Sequence, residues 1–255
     1  DQIKQEFQRF YGYEIEMPSF ENAIDVLQGK FVSNVGELEK YSHIDIVECD
    51  NIGTLKRIKV FEDHLNHKEF YKQINDIIEV GLRRYKDKYA VDYLGNTPFV
   101  LYEKYSRRDV SLLMNCGKDL SSTMYGMKRI DDDAFIFVTY QKEESDDKSY
   151  VDGKPDYADA FEDNMIFQWD SQLGKGIHSS YVEDVITASR KHLLVKKSDA
   201  EIQFYYMGQF DITEVEPARK KDNNGKERDI AKIQIKMHYA VREDLLRYLQ
   251  SKMKE

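Results

Sequence analysis

The chain has 255 residues, a formal net charge of −9, 18 tyrosines and 13 phenylalanines. This length accommodates one large or two smaller domains, the apolar runs fall short of the roughly 18 residues of a membrane span, and no secretory leader is visible. The cysteines, Cys49 and Cys116, are isolated, which argues against a disulfide framework or zinc site and favours a reduced, cytoplasmic protein. Because the chain starts at Asp1, we expect it to be a piece of a longer protein.

The first part of the chain, residues 1–95, is predicted to be helical from its apolar spacing. Pro18 and Ser19 indicate a helix start, with Ser19 as the N-cap. The clearest helix spans about residues 67–88, where apolar residues form one stripe and charged residues fill the opposite side. The breaker cluster 95–98 (GNTP) predicts a domain boundary after residue 95.

The second part, residues 96–255, is predicted to contain a sheet with flanking helices. A short helix should open at Ser106, where Ser-x-x-Asp resembles a capping box, and an amphipathic helix should begin near Val241. Strand-forming residues fill segments 134–140, 193–195, 202–207, 210–215 and 232–239. The last of these alternates polar and apolar residues, as a half-buried strand does.

Two long polar segments interrupt this second part. Residues 141–155 are acidic and are predicted to be mobile. Residues 217–229 carry five basic residues around Asn224-Gly225 and are predicted to form the tip of a long hairpin. The net charge of −9 disfavours DNA binding by the whole surface, but one basic patch is compatible with an acidic remainder.

Motifs for catalysis are absent from the sequence. There is no GxxxxGK[ST] phosphate loop and no HxK pairing of the phospholipase-D nuclease type. His64 and His67 lack a third metal ligand, and the acidic runs 131–133 and 146–147 are interpreted as solvated loops. The sequence therefore predicts neither a metal site nor catalysis.

Several residues have two interpretations that the sequence leaves open. Arg107 and Arg108 lie in the first turn of a helix, where cations are disfavoured, so an acidic side chain or a DNA phosphate should face them. Trp169 is either a core anchor or a stacking wall for an extruded base. Tyr157 and Asp159 place an aromatic ring and a carboxylate two residues apart, which suits a cytosine ring and its exocyclic amine.

Basic and aromatic residues are also interleaved near the end of the predicted sheet. Lys196 and Lys197 precede the aromatic run 204–206. This pattern suits contact with a nucleic-acid backbone together with stacking. It equally suits an ordinary strand with a solvated end.

Six short motifs in a fixed order resemble a known series. They are 105–110 (YSRRDV), 137–140 (FVTY), 157–161 (YADAF), 167–171 (FQWDS), 194–197 (LVKK) and 205–208 (YYMG). The series is similar to the conserved C-terminal domain of bacterial proteins that fuse a phospholipase-D nuclease, a superfamily-two helicase and this module. Type IV, modification-dependent restriction enzymes of the SauUSI type belong to that group.

The resemblance implies an α+β fold: an N-terminal helical coupling region, residues 1–95, followed by an SRA- or PUA-like curved sheet or barrel with flanking helices, residues 96–255. It implies recognition of 5-methylcytosine or 5-hydroxymethylcytosine in double-stranded DNA, by flipping the base into a pocket. The chain would bind without cutting and without a cofactor of its own. ATP and magnesium would serve the absent helicase, which together with the nuclease would be its partner within the full-length chain.

The resemblance also suggests site residues. The base-pocket candidates are Trp169, Tyr157, Asp159, Phe167 and Ser171. The DNA-backbone candidates are Arg107, Arg108, Lys196, Lys197, Tyr205, Lys220 and Lys221. Two other functions stay open: a protein-interaction or regulatory module that couples a helicase to its nuclease, and a hydrolase that uses the acidic loops.

Overall fold

A computed structural model describes residues 2–12, 14–41, 45–50, 54–89, 96–141, 159–222 and 224–251. Tyr157 and nearly all of the acidic segment predicted at 141–155 lie outside these ranges. The chain forms two compact units, with unit one comprising Asp1–Val100 and Arg107–Ser122, and unit two comprising Leu101–Ser106 and Thr123–Glu255. The boundary predicted after residue 95 borders the undescribed residues 90–95. Residues 107–122, which the sequence analysis placed in the second part, belong to unit one.

Unit one is mostly helical. Its elements are α1 (Gln2–Tyr11), α2 (Met17–Leu27), α3 (Val35–Tyr41), β1 (Val47–Cys49), β2 (Leu55–Arg57), α4 (Lys59–Leu65), α5 (Lys68–Tyr89) and α6 (Arg107–Leu113). The antiparallel pair β1–β2 was not predicted. Asn22 Nδ2 donates to the carbonyl of Leu112 at 2.8 Å, and the Asp119 amide donates to the carbonyl of Phe31 at 2.8 Å. The first bond joins α2 to α6, and the second joins the segment after α2 to the segment after α6.

The predicted N-cap of α2 is wrong. The helix begins at Met17 with Glu16 at the N-cap position, so Pro18 lies in the first turn and Ser19 lies inside the helix. Proline fits a first turn because its fixed φ is helical and its missing N–H would have no intrahelical partner there. The Ser19 hydroxyl instead accepts a hydrogen bond from Asn115 Nδ2 at 3.1 Å.

Unit two contains a large mixed sheet and two helices. Its elements are β3 (Lys104–Tyr105), β4 (Met127–Ile130), β5 (Asp133–Thr139), β6 (Ala160–Phe161), β7 (Ile166–Asp170), α7 (Ser180–Thr187), β8 (Arg190–Lys196), β9 (Phe204–Lys221), β10 (Glu227–Met237) and α8 (Glu243–Gln250). The strand order is β4-β5-β8-β9-β10-β7-β6, with β3 also pairing with β9. Pairing is antiparallel except between β5 and β8. The α+β class is confirmed, and the pairings between described strands do not close a barrel.

Strand β9 is longer than the sequence suggested. Segments 202–207 and 210–215 were predicted as two strands, but from Phe204 onward they belong to one strand, and Gly208 lies between them with φ +103°. The β8–β9 register shifts at the same level, between Leu193 and Leu194. A glycine at positive φ is the usual means of building such a bulge without ending the strand. The predicted hairpin is confirmed, with a shorter tip, because β9 continues to Lys221 and β10 starts at Glu227.

A large hydrophobic cluster of unit two lies on one face of the sheet, and the central strands bury side chains on the other face as well, among them Phe135, Leu194 and Tyr206. Along β10, Ile233, Ile235 and Met237 are buried while Lys232 and Lys236 are exposed, which confirms the predicted alternation. The same cluster includes side chains from β5, β7 and β8 and from both helices of the unit. Burial of these apolar side chains stabilises the sheet.

A buried polar network joins three central strands. Asp133 at the start of β5 accepts two hydrogen bonds from Arg190, at 2.7 and 2.6 Å. His192 Nε2 lies 2.7 Å from the same carboxylate. His192 Nδ1 lies 2.9 Å from the Tyr206 hydroxyl on β9, and Phe135 stacks on the imidazole with a centroid distance of 4.6 Å. An ionised carboxylate only accepts, so Nε2 carries the proton and Nδ1 accepts from the tyrosine. The interpretation of run 131–133 as solvated is therefore wrong for Asp133.

The network has a defined charge state. Burial acts to raise the pKa of Asp133, but hydrogen bonds from His192 and Arg190 outweigh it and lower the pKa to about 2. Burial lowers the pKa of His192 against the opposing effect of Asp133. Asp133 is therefore ionised and His192 neutral at neutral pH. Both shifts make the unfolded chain bind more protons than the folded chain in acid, so both reduce stability as the pH falls.

We expect Asp133→Asn to lower the free energy of unfolding at pH 7 by about 3–5 kcal/mol, because it removes the charge that Arg190 and His192 surround. The variant should also lose the share of the wild type's stability loss that Asp133 contributes as the pH falls from about 4 towards 2. Urea denaturation across this pH range measures both effects. Asp131→Asn is the matched control, since Asp131 is exposed and its φ of +50° suits asparagine. Equal stability of the two variants would contradict the assignment.

Candidate nucleic-acid interface

The structure places the predicted stacking residues in the core. Trp169 and Phe167 alternate onto the inner face of β7 and are 3% and 0% exposed. The Trp169 ring lies 6.2 Å from that of Tyr181, and the Phe167 ring lies 4.7 Å from that of Phe161. Neither ring presents an open face to a nucleobase. Of the two interpretations of Trp169, the structure therefore favours the core anchor.

Ser171 and Asp159, two further predicted pocket residues, hold the backbone of neighbouring segments. Ser171 is fully buried; its hydroxyl accepts from the Ala231 amide at 2.8 Å and donates to the Lys175 carbonyl at 2.5 Å. It thus fixes the loop after β7 to β10. Asp159 is half-buried and accepts from the Asp170 amide at 2.9 Å. Tyr157 lies outside the described residues, so its predicted role stays a prediction.

Arg108 has acidic partners within unit one. Its Nε donates to Asp119 Oδ2 at 2.8 Å, and its Nη2 contacts Glu37. The Asp119 carboxylate is 3% exposed, and its pKa is lowered because hydrogen bonds from Ser121 and Arg108 outweigh burial. The expectation that something anionic offsets the cation is met by these carboxylates. Arg107 is half-buried in the same turn of α6.

Lys196, Lys197 and Tyr205 are engaged with neighbouring groups in unit two. Lys196 is 8% exposed and donates to the Glu201 carbonyl at 2.9 Å. Lys197 donates to the Ser251 hydroxyl at 2.6 Å. The Tyr205 ring is covered by Lys104 Nζ, 4.4 Å from its centroid. These residues have structural contacts that a phosphate would have to replace.

The β9–β10 hairpin carries a local concentration of basic residues in unit two. Pairing with β7 covers β10 from Lys232 to Lys236, so residues 217–221 and 227–231 extend past it as a two-stranded ribbon, the hairpin arm. The arm and its tip, residues 217–231, carry five basic and three acidic residues and are therefore net positive. The whole chain, by contrast, has a net charge of −9. The basic residues are Arg219, Lys220, Lys221, Lys226 and Arg228.

The basic residues of the arm differ in availability. Lys220 is 15% exposed and lies 2.6 Å from the buried Asp170 carboxylate, so it anchors the arm to β7. Lys221 and Lys226 are exposed. Arg219 pairs with Asp229 at 3.1 Å, and both side chains are 69% exposed. Such surface pairs contribute about 0–1 kcal/mol, so a phosphate can replace the carboxylate at little cost.

An open cavity of about 770 Å³ lies between the arm and the loop that follows β7. Its lining residues are Gly174, Gly176, Ile177, His178, Ser179, Pro217, Ala218, Arg219, Asp229 and Ile230. Gly176 permits the close approach of loop and arm, because a Cβ there would lie 3.1 Å from Asp229 Cβ. The cavity volume falls within the range of about 300–1,000 Å³ typical of small-ligand sites.

The start of α7 lies at the edge of this cavity. Ser179 caps the helix: its hydroxyl accepts from the Val182 amide at 3.4 Å and donates to the Gly176 carbonyl at 2.7 Å. Lys175 and His178 are exposed on the same loop. A helix N-terminus and nearby cations favour negative charge, and Asp229 supplies an acceptor. The cavity therefore suits a ligand that has both anionic and hydrogen-bond-donating groups, as a nucleotide does.

The described residues contain no cluster of three or more His, Cys, Asp or Glu side chains placed to hold a metal ion. No helix within the described ranges is both long and apolar enough to cross a membrane. Sequence reasoning missed the cavity loop as a site, although the two closely spaced glycines at 174 and 176 were a signal for it. It named the arm in part, through Lys220 and Lys221 within the basic segment 217–229.

Family comparison covers both parts of the chain. Residues 99–249 match the family described as "Domain of unknown function (DUF3427)". The chain belongs to this family. Residues 1–87 match a second model, "Domain of unknown function (DUF8090)". The DUF3427 region includes all six sequence motifs, the hairpin arm and the cavity loop. The chain matches no curated protein.

Solved structures similar to this DUF3427 chain share little sequence with it. SUVH6 of Arabidopsis thaliana in complex with SAM is 11% identical, with a TM-score of 0.37 and coverage of 61% of this chain and 30% of that chain. The sulfur-binding and SRA domains of ScoMcrA complexed with phosphorothioated DNA are 11% identical, with a TM-score of 0.33 and coverage of 60% and 45%. KRYPTONITE in complex with mCHG DNA and SAH is 11% identical, with a TM-score of 0.34 and coverage of 72% and 41%.

The chain thus spans less than half the length of these solved chains. All three TM-scores lie below 0.5, so these likenesses do not establish a shared fold.

We expect Trp169→Ala to lower the free energy of unfolding by about 3–5 kcal/mol, because it leaves a cavity in the core. Urea denaturation measures the loss. Tyr125→Ala, at a ring that is 60% exposed, is the control and should change stability little. Full stability of Trp169→Ala together with weakened DNA binding would contradict the core assignment and restore the base-pocket interpretation.

Arg108→Ala should destabilise unit one by about 3 kcal/mol, because the buried Asp119 carboxylate loses its cation. Denaturation gives the stability, and DNA titration at fixed salt should show unchanged affinity. Arg83→Ala, at an exposed arginine of α5, removes the same charge without a buried partner. A stable Arg108→Ala variant with lower affinity for every DNA would assign the residue to phosphate contact instead.

Proposed function

We propose that this chain is a DNA-binding module that reads 5-methylcytosine or 5-hydroxymethylcytosine in duplex DNA. The observation that carries the proposal is the hairpin arm, a basic two-stranded ribbon beside an open cavity on an otherwise acidic chain. The resemblance of the six motifs to the C-terminal domain of type IV restriction enzymes supports the modified base as the target. The module would act in the cytoplasm as part of such an enzyme.

The arm is suited to the DNA backbone. Exposed Lys221 and Lys226 offer ammonium groups, and Arg219 can exchange the exposed Asp229 carboxylate for a phosphate. Each phosphate neutralised releases counterions, so binding should weaken steeply with salt. A two-stranded ribbon also fits the width of the major groove of B-form DNA. The arm would therefore orient the module on the duplex without reading its sequence.

Reading the modified base requires a second element. Base flipping costs a few kcal/mol of unstacking, which stacking and hydrogen bonds in a pocket must offset. The Tyr157–Asp159 segment and the cavity beside the arm are the two places for such a pocket. Burying one methyl carbon gains about 0.8 kcal/mol, roughly a fourfold preference in affinity. The module would bind without cutting, and ATP-dependent translocation and cleavage would belong to the helicase and nuclease of the longer protein.

The proposal predicts a preference for modified DNA. Anisotropy titrations with duplexes that differ only in unmodified cytosine, 5-methylcytosine or 5-hydroxymethylcytosine should show affinity for a modified form higher by about fourfold or more. Equal affinities for all three duplexes would remove the claim that the module reads the modification. Absence of binding to any duplex at low salt would remove the claim of DNA binding altogether.

The role of the arm has a separate test. Lys221→Ala combined with Lys226→Ala should weaken binding to all duplexes equally and reduce the slope of log affinity against log salt by about two. Lys40→Ala combined with Lys118→Ala removes the same charge from exposed positions in unit one and should leave the slope unchanged. Equal effects of the two pairs would show that net charge, rather than the arm, controls binding.

A further inference from the structure

The hairpin arm has two sides that carry different cations. In an antiparallel ribbon, directly paired residues project to the same side, and successive residues along a strand alternate between the two sides. Arg219 and Lys221 therefore lie on one side of the arm, and Lys220 lies on the other side together with its partner Arg228. A duplex that binds along one side of the arm therefore meets only one of these two sets of cations.

The side that carries Arg219 and Lys221 borders the cavity. Pro217, Arg219 and Asp229 alternate onto this side, and all three line the cavity. We call it the cavity side of the arm. The carboxylates near Arg219 are well exposed: Asp229 by 69%, at 3.1 Å, and Glu227 by 60%, at 3.6 Å. Pairs between exposed groups contribute little to stability, so a phosphate can take the place of either carboxylate.

The loop that borders the cavity adds further groups that attract anions. Lys175 is exposed, and its Nζ lies 6.0 Å from the ring centroid of Tyr181 in the first turn of α7. His178 is an exposed member of the cavity lining, and Ser179, the N-cap of α7, also lines the cavity. A helix N-terminus favours negative charge because its first N–H groups have no intrahelical partner. The cavity side therefore offers a phosphate cations from the arm and from the loop.

The opposite side of the arm continues into an acidic groove of about 310 Å³. Most of the groove is lined by residues of β7, β9 and β10 that lie on the same side as Lys220, which we call the groove side. Like charges repel, so a phosphate is disfavoured beside a net-negative lining. The lining has four acidic residues and one basic residue, net −3: Glu162, Gln168, Asp170, Glu214, Glu216, Lys232 and Gln234.

The arm cations on the groove side are paired with shielded carboxylates. Lys220 Nζ lies 2.6 Å from the Asp170 carboxylate, which is 3% exposed. Arg228 Nε donates to Asp222 Oδ2 at 2.8 Å, and that carboxylate is 16% exposed. Withdrawing a cation from a shielded carboxylate leaves a poorly solvated charge. A phosphate would therefore displace these pairs at a higher cost than the exposed pairs of Arg219.

We propose that the DNA backbone binds the cavity side of the arm, where Arg219, Lys221 and Lys175 contact phosphates, and that the groove side points away from the duplex. This inference rests on the proposed DNA-binding function and assigns its orientation. Attraction on one side and repulsion on the other together select one binding mode. The same placement sets the duplex beside the cavity.

The orientation is tested first by salt dependence, with two charge-matched variants and one unmodified duplex. Arg219→Gln combined with Lys221→Gln should reduce the slope of log affinity against log salt by about two, because two phosphate contacts are lost. Lys232→Gln combined with Lys236→Gln removes the same charge from exposed positions on the groove side of β10 and should leave the slope unchanged. Equal slopes for the two variants would overturn the choice of side.

A tethered cleavage reagent locates the duplex directly. In a Cys49→Ser, Cys116→Ser background, an iron chelate attached at His178→Cys should cut the bound duplex, because position 178 lines the cavity. The same chelate attached at Glu216→Cys, which lines the groove beside the start of the arm, should leave the duplex largely intact. Stronger cleavage from position 216 than from position 178 would place the duplex on the groove side and overturn the proposal.

The outcomes distinguish the orientation from the proposed function. A wild-type chain that binds no duplex at low salt would remove DNA binding and its orientation together. Wild-type binding with equal slopes for the two variants would overturn the orientation alone. Preference for a modified base does not affect either result, since both tests use an unmodified duplex.

Discussion

The sheet of unit two depends on one buried carboxylate. Asp133 opens β5, and its oxygens accept hydrogen bonds from Arg190 and His192 of the neighbouring strand. Through His192 it also reaches Tyr206 on β9. A carboxylate in this setting is favourable only while it is ionised and fully hydrogen-bonded, because an unpaired polar group inside the protein costs more than the bond contributes. The network therefore specifies how β5, β8 and β9 align, and the remaining strands are added to that frame.

The proposed DNA-binding elements extend from this frame. The arm is a continuation of β9 and β10 past the sheet, and it is held against β7 by the ion pair of Lys220 with the buried Asp170. The cavity loop is fixed to β10 by Ser171. Lys220, suggested by the sequence as a DNA-backbone contact, thus holds the arm, and Ser171, suggested as a base-pocket residue, holds the loop. This arrangement reconciles an acidic chain with DNA binding, since phosphate contact requires a local basic surface rather than a basic protein.

Patterns local in sequence were predicted well. The helix predicted at 67–88 is Lys68–Tyr89. The alternation predicted at 232–239 holds up to Met237, where β10 ends, because its period depends on one buried face, whereas Tyr239 beyond the strand is exposed. Features that depend on distant residues were not accessible. The sequence around Arg108 does not indicate that Asp119 and Glu37 pair with it. The sequence around Trp169 is the same whether the indole ring contacts a base or packs in the core. A glycine between two apolar runs, such as Gly208, also reads as a break when it is a bulge.

The parallel pairing of β5 with β8 bears on how the protein reaches its native state. Asp133 and Arg190 are 57 residues apart in the chain, so the segment between them must close into a loop of that length before the two strands can pair. Closing so long a loop costs entropy before any contact compensates for it, so topologies dominated by distant pairings fold slowly. The β9–β10 hairpin, by contrast, joins neighbouring segments and can form early. Nucleation at the hairpin followed by late addition of β5 would leave an exposed strand edge during folding, a hazard for aggregation at high expression levels.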